Sequence, residues 1–394
     1  MALAGLLSRA WVRELLLGVG LLCGAAALLC YPQEAMEAAR SGLALCGNVI
    51  IPSLFPFFVL SALVVELGLA GALGRLLEPL MERLFRVSGS CASAVALGFL
   101  GGYPVGARTA IELYRKGMCS KTEAQRLLAF CNNSGPAFIL GVVGTGVFAS
   151  SRAGLLLYLA HAAASVCVGL LFRFYRGEER RAAGRSRTQV EAKRFSAAFT
   201  GAVGSGLTSV LNICAFVVLF TVIIRLLVLS GVLPVLSGAV GLLLAPLGVD
   251  QVWVQRLLTG LLEVSTGVSA LAGEGALSGR LTLAAFLLGW AGLSVHCQVL
   301  SFLGGSGLSP RTYLVGKFLH GLLAALFTAG LSRVLPLGSV PAILAGQVAD
   351  LASVDFQTAL TWSTVWAWLA FLLFLGVALW TGGKKSGHRA ERVI

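Results

Sequence analysis

Four short stretches carry side chains out of keeping with the apolar sequence around them: Gly101-Gly-Tyr-Pro-Val-Gly106, Asn132-Asn-Ser-Gly-Pro136, Glu263-Val-Ser-Thr-Gly267 and Gly292-Leu-Ser-Val-His-Cys-Gln298. These residue types suit non-covalent binding more than bond making. In the first stretch the glycines permit a tight turn and close backbone approach. Gly102, Tyr103 and Pro104 are candidate substrate contacts there, Tyr103 offering both a ring face and a hydroxyl. In the second, Pro136 removes a backbone donor, and Asn132, Asn133 and Ser134 either bind a substrate or cap the break. Glu263 is the most informative single residue: a carboxylate in an apolar segment is costly and marks a cavity where protons or cations move. Ser265 and Thr266 are its candidate companions as ligands or donors. The bland alternative is an ion pair with Arg256, seven residues earlier and about two helical turns away. In the last stretch Ser294 and Gln298 are candidate contacts, and His296 is either a proton carrier or a satisfied packing residue. Asn48 and Asn212 serve equally well as substrate contacts or as hydrogen bonds between helices.

Composition states what must position these residues. The chain of 394 residues is 57% hydrophobic and only 12% charged, its mean hydropathy is +0.88, and apolar runs long enough to cross a bilayer recur along it. The expected class is an all-α polytopic membrane protein. A net charge of +13 raises nucleic acid as a partner, but the basic residues fall between apolar segments, where membrane topology places them; no nucleic-acid partner is expected. The nine cysteines lie mostly inside apolar segments without C-x-x-C spacing and read as reduced core residues. No G-x-x-x-x-G-K-[ST] or H-E-x-x-H motif occurs, and the four histidines (161, 296, 320 and 388) are dispersed in sequence. Neither a cofactor nor a metal is therefore expected, and the chain does not read as an enzyme.

Apolar runs predict spans near 14–30, 41–68, 127–149, 153–173, 205–232, 281–303, 311–335 and 361–380. The second is expected to bend at Pro52 and Pro56. The run at 15–29 also resembles a signal peptide, but Cys30-Tyr-Pro-Gln is a poor cleavage site. Residues 72–87 mix charge with apolar residues at helical spacing and are expected along the interface. Segments near 90–110 and 253–278 read as re-entrant hairpins, and 336–358 has no assignment. With the hairpins returning to their own side, 24 of the 30 Lys and Arg residues, Arg311 and Lys317 among them, gather on one face. That places both termini in the cytoplasm.

The halves echo each other. Ser41-Gly-Leu with Asn48 recurs as Ser205-Gly-Leu with Asn212, 164 positions later; Gly102-Tyr-Pro-Val-Gly-Ala107 has a counterpart in Glu263-Val-Ser-Thr-Gly-Val268. The map gives the two repeats opposite orientations, as in secondary transporters whose substrate lies at the repeat interface. The expected organisation is an N-terminal transmembrane helix and outside loop (1–40), a first repeat (41–173), a basic cytoplasmic linker (174–204), a second, inverted repeat (205–335) and a C-terminal segment with a last span and a basic tail (336–394).

The set Pro52-Ser-Leu-Phe-Pro-Phe, Gly102-Tyr-Pro-Val-Gly-Ala, Glu123-Ala-Gln-Arg-Leu127, Asn132-Asn-Ser-Gly-Pro-Ala-Phe138 and Gly292-Leu-Ser-Val-His-Cys-Gln298 resembles the YlbJ-like sporulation integral membrane proteins, within the Gate-domain or "nucleoside recognition" group. The resemblance spans roughly residues 30–335. It implies a fold like that of concentrative nucleoside transporters, with paired hairpins and broken helices about a central site, and passage of dipicolinic acid across the outer forespore membrane. Physically, dipicolinate needs anion-binding donors beside an apolar or aromatic wall, which helix N-termini and Tyr103 can supply. A nucleoside or other heteroaromatic solute, and a sporulation membrane scaffold that moves nothing, stand as alternatives. The oligomeric state is open.

Overall fold

The computed structural model describes residues 10–176 and 194–334. Most of the basic linker, the segment 336–358, the span expected at 361–380, His388 and the basic tail lie outside the described residues. Those described form helices and their connections, with no strand among them.

The order begins with α1 (Ala10–Cys30) and α2 (Pro32–Leu45), bent by 97° where they join. A π-helical turn, Cys46–Ile50, leads into α3 (Ile51–Glu66). The span expected at 41–68 thus starts earlier, at Pro32. Pro52 has no N–H, and its ring crowds the carbonyl four residues back. The wide π turn, closed by Ile51 N on Cys46 O, takes up that misfit without a break. After α4 (Leu69–Phe85), α5 (Ala92–Gly101) and α6 (Val105–Arg115) form a first helical hairpin. α7 (Lys121–Phe130) stops at a non-helical stretch, 131–135, and a π-helix, Ala137–Val147, resumes the direction before α8 (Ser151–Phe172).

The second half repeats this order. A long helix, α9 (Phe195–Leu229), is followed by α10 (Val232–Leu244), which the apolar map did not mark. α11 (Gln251–Leu262) and α12 (Val264–Ser269) make a second hairpin, α13 (Leu277–Trp290) and α14 (Gly292–Leu303) a second broken span, and α15 (Pro310–Val334) closes the series. Among the described residues four helical segments are long and apolar enough to cross a bilayer, or six if each bent pair counts as one. Large apolar side chains point outward, Leu21 at 76% and Leu242 at 79% exposed, an arrangement that suits hydrocarbon and not water.

Lipid tails are as apolar as leucine, so helices in a bilayer associate by close packing through small residues. Both hairpins are built that way. Gly98 of α5 faces Gly106 of α6, and a Cβ on either would collide with the Cys131 carbonyl oxygen. Gly260 of α11 faces Gly267 of α12, and a Cβ on either would strike the other's backbone or the Leu287 side chain. The repeated Ser-Gly-Leu motif has a matching use: Gly42 of α2 packs against Val218 of α9, and Gly206 of α9 against Val59 of α3. A cluster of Phe58, Leu97, Val105, Val210, Ile213 and Val217 ties α3, the first hairpin and α9 together.

Several charges counted as loop residues act inside the fold. Glu123 completes a capping box with Ser120 at the start of α7 and also accepts Ser88 N at 2.6 Å. Arg126, buried, donates to the carbonyls of Arg86 (2.7 Å) and Tyr175 (2.8 Å). The Glu123-Ala-Gln-Arg motif is thus a staple joining three connections at one end of the bundle. Arg108 reaches Ser205 Oγ, and Lys317 is enclosed within α15's packing face. Residues counted with the face charges thus also make contacts inside the fold, with carbonyls and hydroxyls distant in sequence.

The Gly98 contact gives a direct test. Gly98→Ala is expected to destabilise by about 1–3 kcal/mol through overpacking. Gly241→Ala on α10, where a Cβ meets nothing within 4 Å, should leave stability unchanged or raise it by up to about 1 kcal/mol. Thermal unfolding of both purified variants makes the comparison, and equal midpoints would contradict the packing account.

Candidate functional site

Each hairpin tip rests on the broken span that follows it. At the first tip the turn 102–104, with a cis Tyr103–Pro104 bond, sets Gly102 at φ 77 against the backbone of Gly135. At the second, Gly292 (φ 79), which opens α14, lies against the backbone of Glu263 and Val264. Both positions need a positive φ and a close backbone approach, which glycine meets without strain.

The chain at these breaks has backbone groups no helix satisfies, and side chains satisfy them. At the first break Ser134 N donates to His161 Nε2 at 3.0 Å, Ser165 Oγ donates to Phe130 O at 2.7 Å, and Lys317 Nζ donates to Asn132 O at 2.9 Å. At the second, Glu263 is the extended residue between α11 and α12. Its carboxylate accepts Ser265 N (3.0 Å), Thr266 N (2.7 Å) and Thr266 Oγ1 (2.8 Å), capping α12. It makes no pair with Arg256, which instead donates to Glu274 O and lies over the Trp253 ring. An extended residue turns the chain at 263, so the two-turn helical spacing that suggested the pair does not hold.

The four interruptions meet at one cavity of about 180 Å³. That is below the roughly 300–1,000 Å³ typical for drug-sized ligands and suits a small solute. Gly102, Tyr103, Ser134, Glu263, Ser265, Ser294 and Gln298 line it, so seven sequence-predicted residues from both halves share one space. The remaining wall is apolar: Leu45 and Ile50 beside the π turn, Phe138 and Val142 of the π-helix, and Ile213 and Val217 of α9. Gln298 Nε2 is 3.4 Å from Ser294 Oγ, one helical turn away on α14.

Five predicted residues lie elsewhere. Pro104 is buried behind the tip, and Thr266 is committed to Glu263. Asn132 and Asn133 are buried at the break but outside the wall, because the stretch 131–135 turns them away from the cavity while presenting Ser134 and Gly135 to it. Both amide atoms of Asn133 are without a hydrogen-bonding partner among the described residues. His296 also points away, edge-on to Trp290 at 4.3 Å. Asn212 bonds Ser301 Oγ of α14 at 2.9 Å, the interhelical role, whereas Asn48 is exposed.

Behind the cavity lies a polar network that sequence reasoning missed. Asn132 Nδ2 donates to Tyr313 Oη (3.4 Å), and Tyr313 Oη shares a hydrogen bond with His296 Nδ1 at 3.0 Å, the imidazole tautomer setting which of the two donates. His320 Nε2 donates to His161 O at 2.9 Å, and the two rings lie 4.2 Å apart. Three of the four histidines, dispersed in sequence, therefore converge with Tyr313 and Lys317 on the first break. The available signal was Tyr313-x-x-x-Lys317-x-x-His320, which puts three polar groups on one face of an apolar span.

Replacing Tyr313 with Phe removes the hydroxyl that links Asn132 to His296. The expected loss is roughly 1–3 kcal/mol, read from thermal unfolding; a midpoint within error of the parent would mean that the network holds nothing.

Comparisons with known proteins follow this geometry. The family model described as "Gate: Nucleoside recognition" matches residues 49–206. The sporulation integral membrane protein YlbJ of Bacillus subtilis (strain 168) is 33% identical over 325 residues, covering 77% of this chain and 78% of that protein. Among solved structures, an outward-facing variant of CNTnw aligns over 85% of this chain and 90% of its own at 14% identity and TM-score 0.45. Its inward-facing, substrate-bound form aligns over 85% and 89% at 16% identity and TM-score 0.43.

Proposed function

The chain belongs to the family of the sporulation integral membrane protein YlbJ, and on that premise we propose that it carries a small organic anion, dipicolinate, across the outer forespore membrane by alternating access. The observation that carries the reading is the meeting of both hairpin tips and both helix breaks at one cavity. Broken helices at membrane depth persist where they line a cavity or are buried in protein, and such a site between two repeats is the arrangement alternating access uses. In this reading the halves insert in opposite orientations, with both termini in the cytoplasm, as the distribution of basic residues favours.

The wall suits a flat aromatic acid. Tyr103 and Phe138 offer ring surface, and Ser134, Ser265, Ser294 and Gln298 offer neutral donors from three separate elements, the first break, α12 and α14. Glu263 is the one carboxylate in the wall, and three donors already engage its oxygens. We assign it to holding the second tip, with coupling as its further role. A nucleoside or related heteroaromatic is the second reading, favoured by the family model's description and by a wall whose only acidic group would oppose a bare anion.

Proteoliposomes with labelled dipicolinate decide between them. Saturable uptake is expected, with Ser294→Ala and Gln298→Leu each weakening apparent affinity about 2- to 10-fold, the worth of one neutral hydrogen bond. Thr200→Ala, on an exposed stretch of α9, should change nothing. Uptake of a nucleoside in place of dipicolinate supports the second reading, and uptake of neither rejects transport of both.

A further inference from the structure

Lys317 has no part in the wall described above, yet its amine stands over the Tyr103 ring, which does. It lies 1% exposed on α15, and among the described residues no carboxylate is within ion-pairing distance. Every element packed around it presents neutral groups. The first break brings the Cys131 thiol and the Asn132 carbonyl, the first hairpin tip the Tyr103 phenol, α8 the His161 ring and α14 His296. Its own helix adds Tyr313 and His320. The facing residues of α7 and α13, Ala129, Phe286 and Gly289, carry no ionisable group. His161 accepts a backbone N–H at Nε2 and is therefore neutral; His320 donates through Nε2 and keeps a bare Nδ1.

An isolated ammonium in such a place lacks the counter-charge that buried charges ordinarily have. The hydrogen bond to Asn132 O can be donated by an amine or, more strongly, by an ammonium, so the contact is available in either form. The Tyr103 ring lines the cavity, and Nζ stands 5.8 Å from the centroid of that ring. Glu263 also lines the cavity, but its carboxylate is held by three donors at the second tip; a substrate carboxylate against the Tyr103 ring would add negative charge beside Nζ, in a setting where charges are weakly screened.

We propose that Lys317 is the proton-binding site that offsets the charge of a carboxylate substrate, taking a proton from the aqueous phase as the anion enters and returning it as the anion leaves. Anion and proton then cross together. The amine gains one proton and no other bond changes. Linkage makes the effect reciprocal: a bound anion raises the proton affinity of Lys317, and a protonated Lys317 raises anion affinity by the same factor. The inference rests on the organic-anion reading of the cavity.

Calorimetry of the purified protein in lipid nanodiscs tests it. Dipicolinate is titrated in buffers of different ionisation enthalpy, from about pH 6 to about pH 9, to count protons bound with each anion. The wild type should take up protons with the anion, approaching one at the alkaline end. Lys317→Arg, whose charge is fixed, should bind with no uptake and with affinity flat across pH. Lys317→Gln should bind roughly tenfold or more weakly, also without uptake. Binding without proton uptake in the wild type, or unchanged uptake in either variant, overturns the proposal alone. A wild type that binds no dipicolinate overturns the proposal together with the anion reading.

Discussion

A helix interrupted in hydrocarbon leaves backbone donors and acceptors that lipid cannot satisfy, and the fold answers that constraint at two places. At the first break the partners come from elsewhere in the chain: His161 and Ser165 from α8, Lys317 from α15. At the second the partner is local, the Glu263 carboxylate closing on the first amides of the helix it begins. The two halves share an order of elements but differ in how their breaks are held. The first break depends on a helix from the second half, so the first half is not self-sufficient.

That dependence explains why glycine is concentrated where it is. Side chains can reach orphan backbone groups only if the helices carrying them come close, and in a bilayer close approach comes from removing side-chain bulk. Gly316 of α15 sits against the Ala129 carbonyl, immediately before the break that Lys317 and Tyr313 serve. Gly289 of α13 and Gly321 of α15 meet one turn beyond, beside His320. Glycine contacts and buried polar groups are thus two parts of one device: the first allows the approach and the second uses it. The result is a closely packed rim of tips and breaks around the cavity.

Much of this was legible in sequence because interruptions in apolar sequence have few explanations. Gly102, Tyr103, Ser134, Glu263, Ser265, Ser294 and Gln298 stood out as polar or turn-forming residues in apolar segments, and they share the cavity wall. Local signals do not report direction, however. Asn132 and Asn133 precede Ser134 directly, but the non-helical path of 131–135 keeps them out of the wall. Lys317 read as a loop charge because it follows Arg311 closely and lies near the start of its span; its burial depends on Asn132, 185 positions away. His161 and His320 come together only through the packing of α8 on α15. The Arg256 pairing failed for a local reason, the extended residue at 263 ending the helical register assumed in counting turns.

The central claim is that two tips and two breaks enclose a site for a small acid. An experimental structure in lipid nanodiscs with dipicolinate present tests it most directly. The account predicts interrupted chain at Tyr103, Ser134, Glu263 and Gly292, and ligand density between the Tyr103 ring and the Ser294 hydroxyl. Continuous helices through those positions, or ligand held at a surface away from both tips, would contradict it.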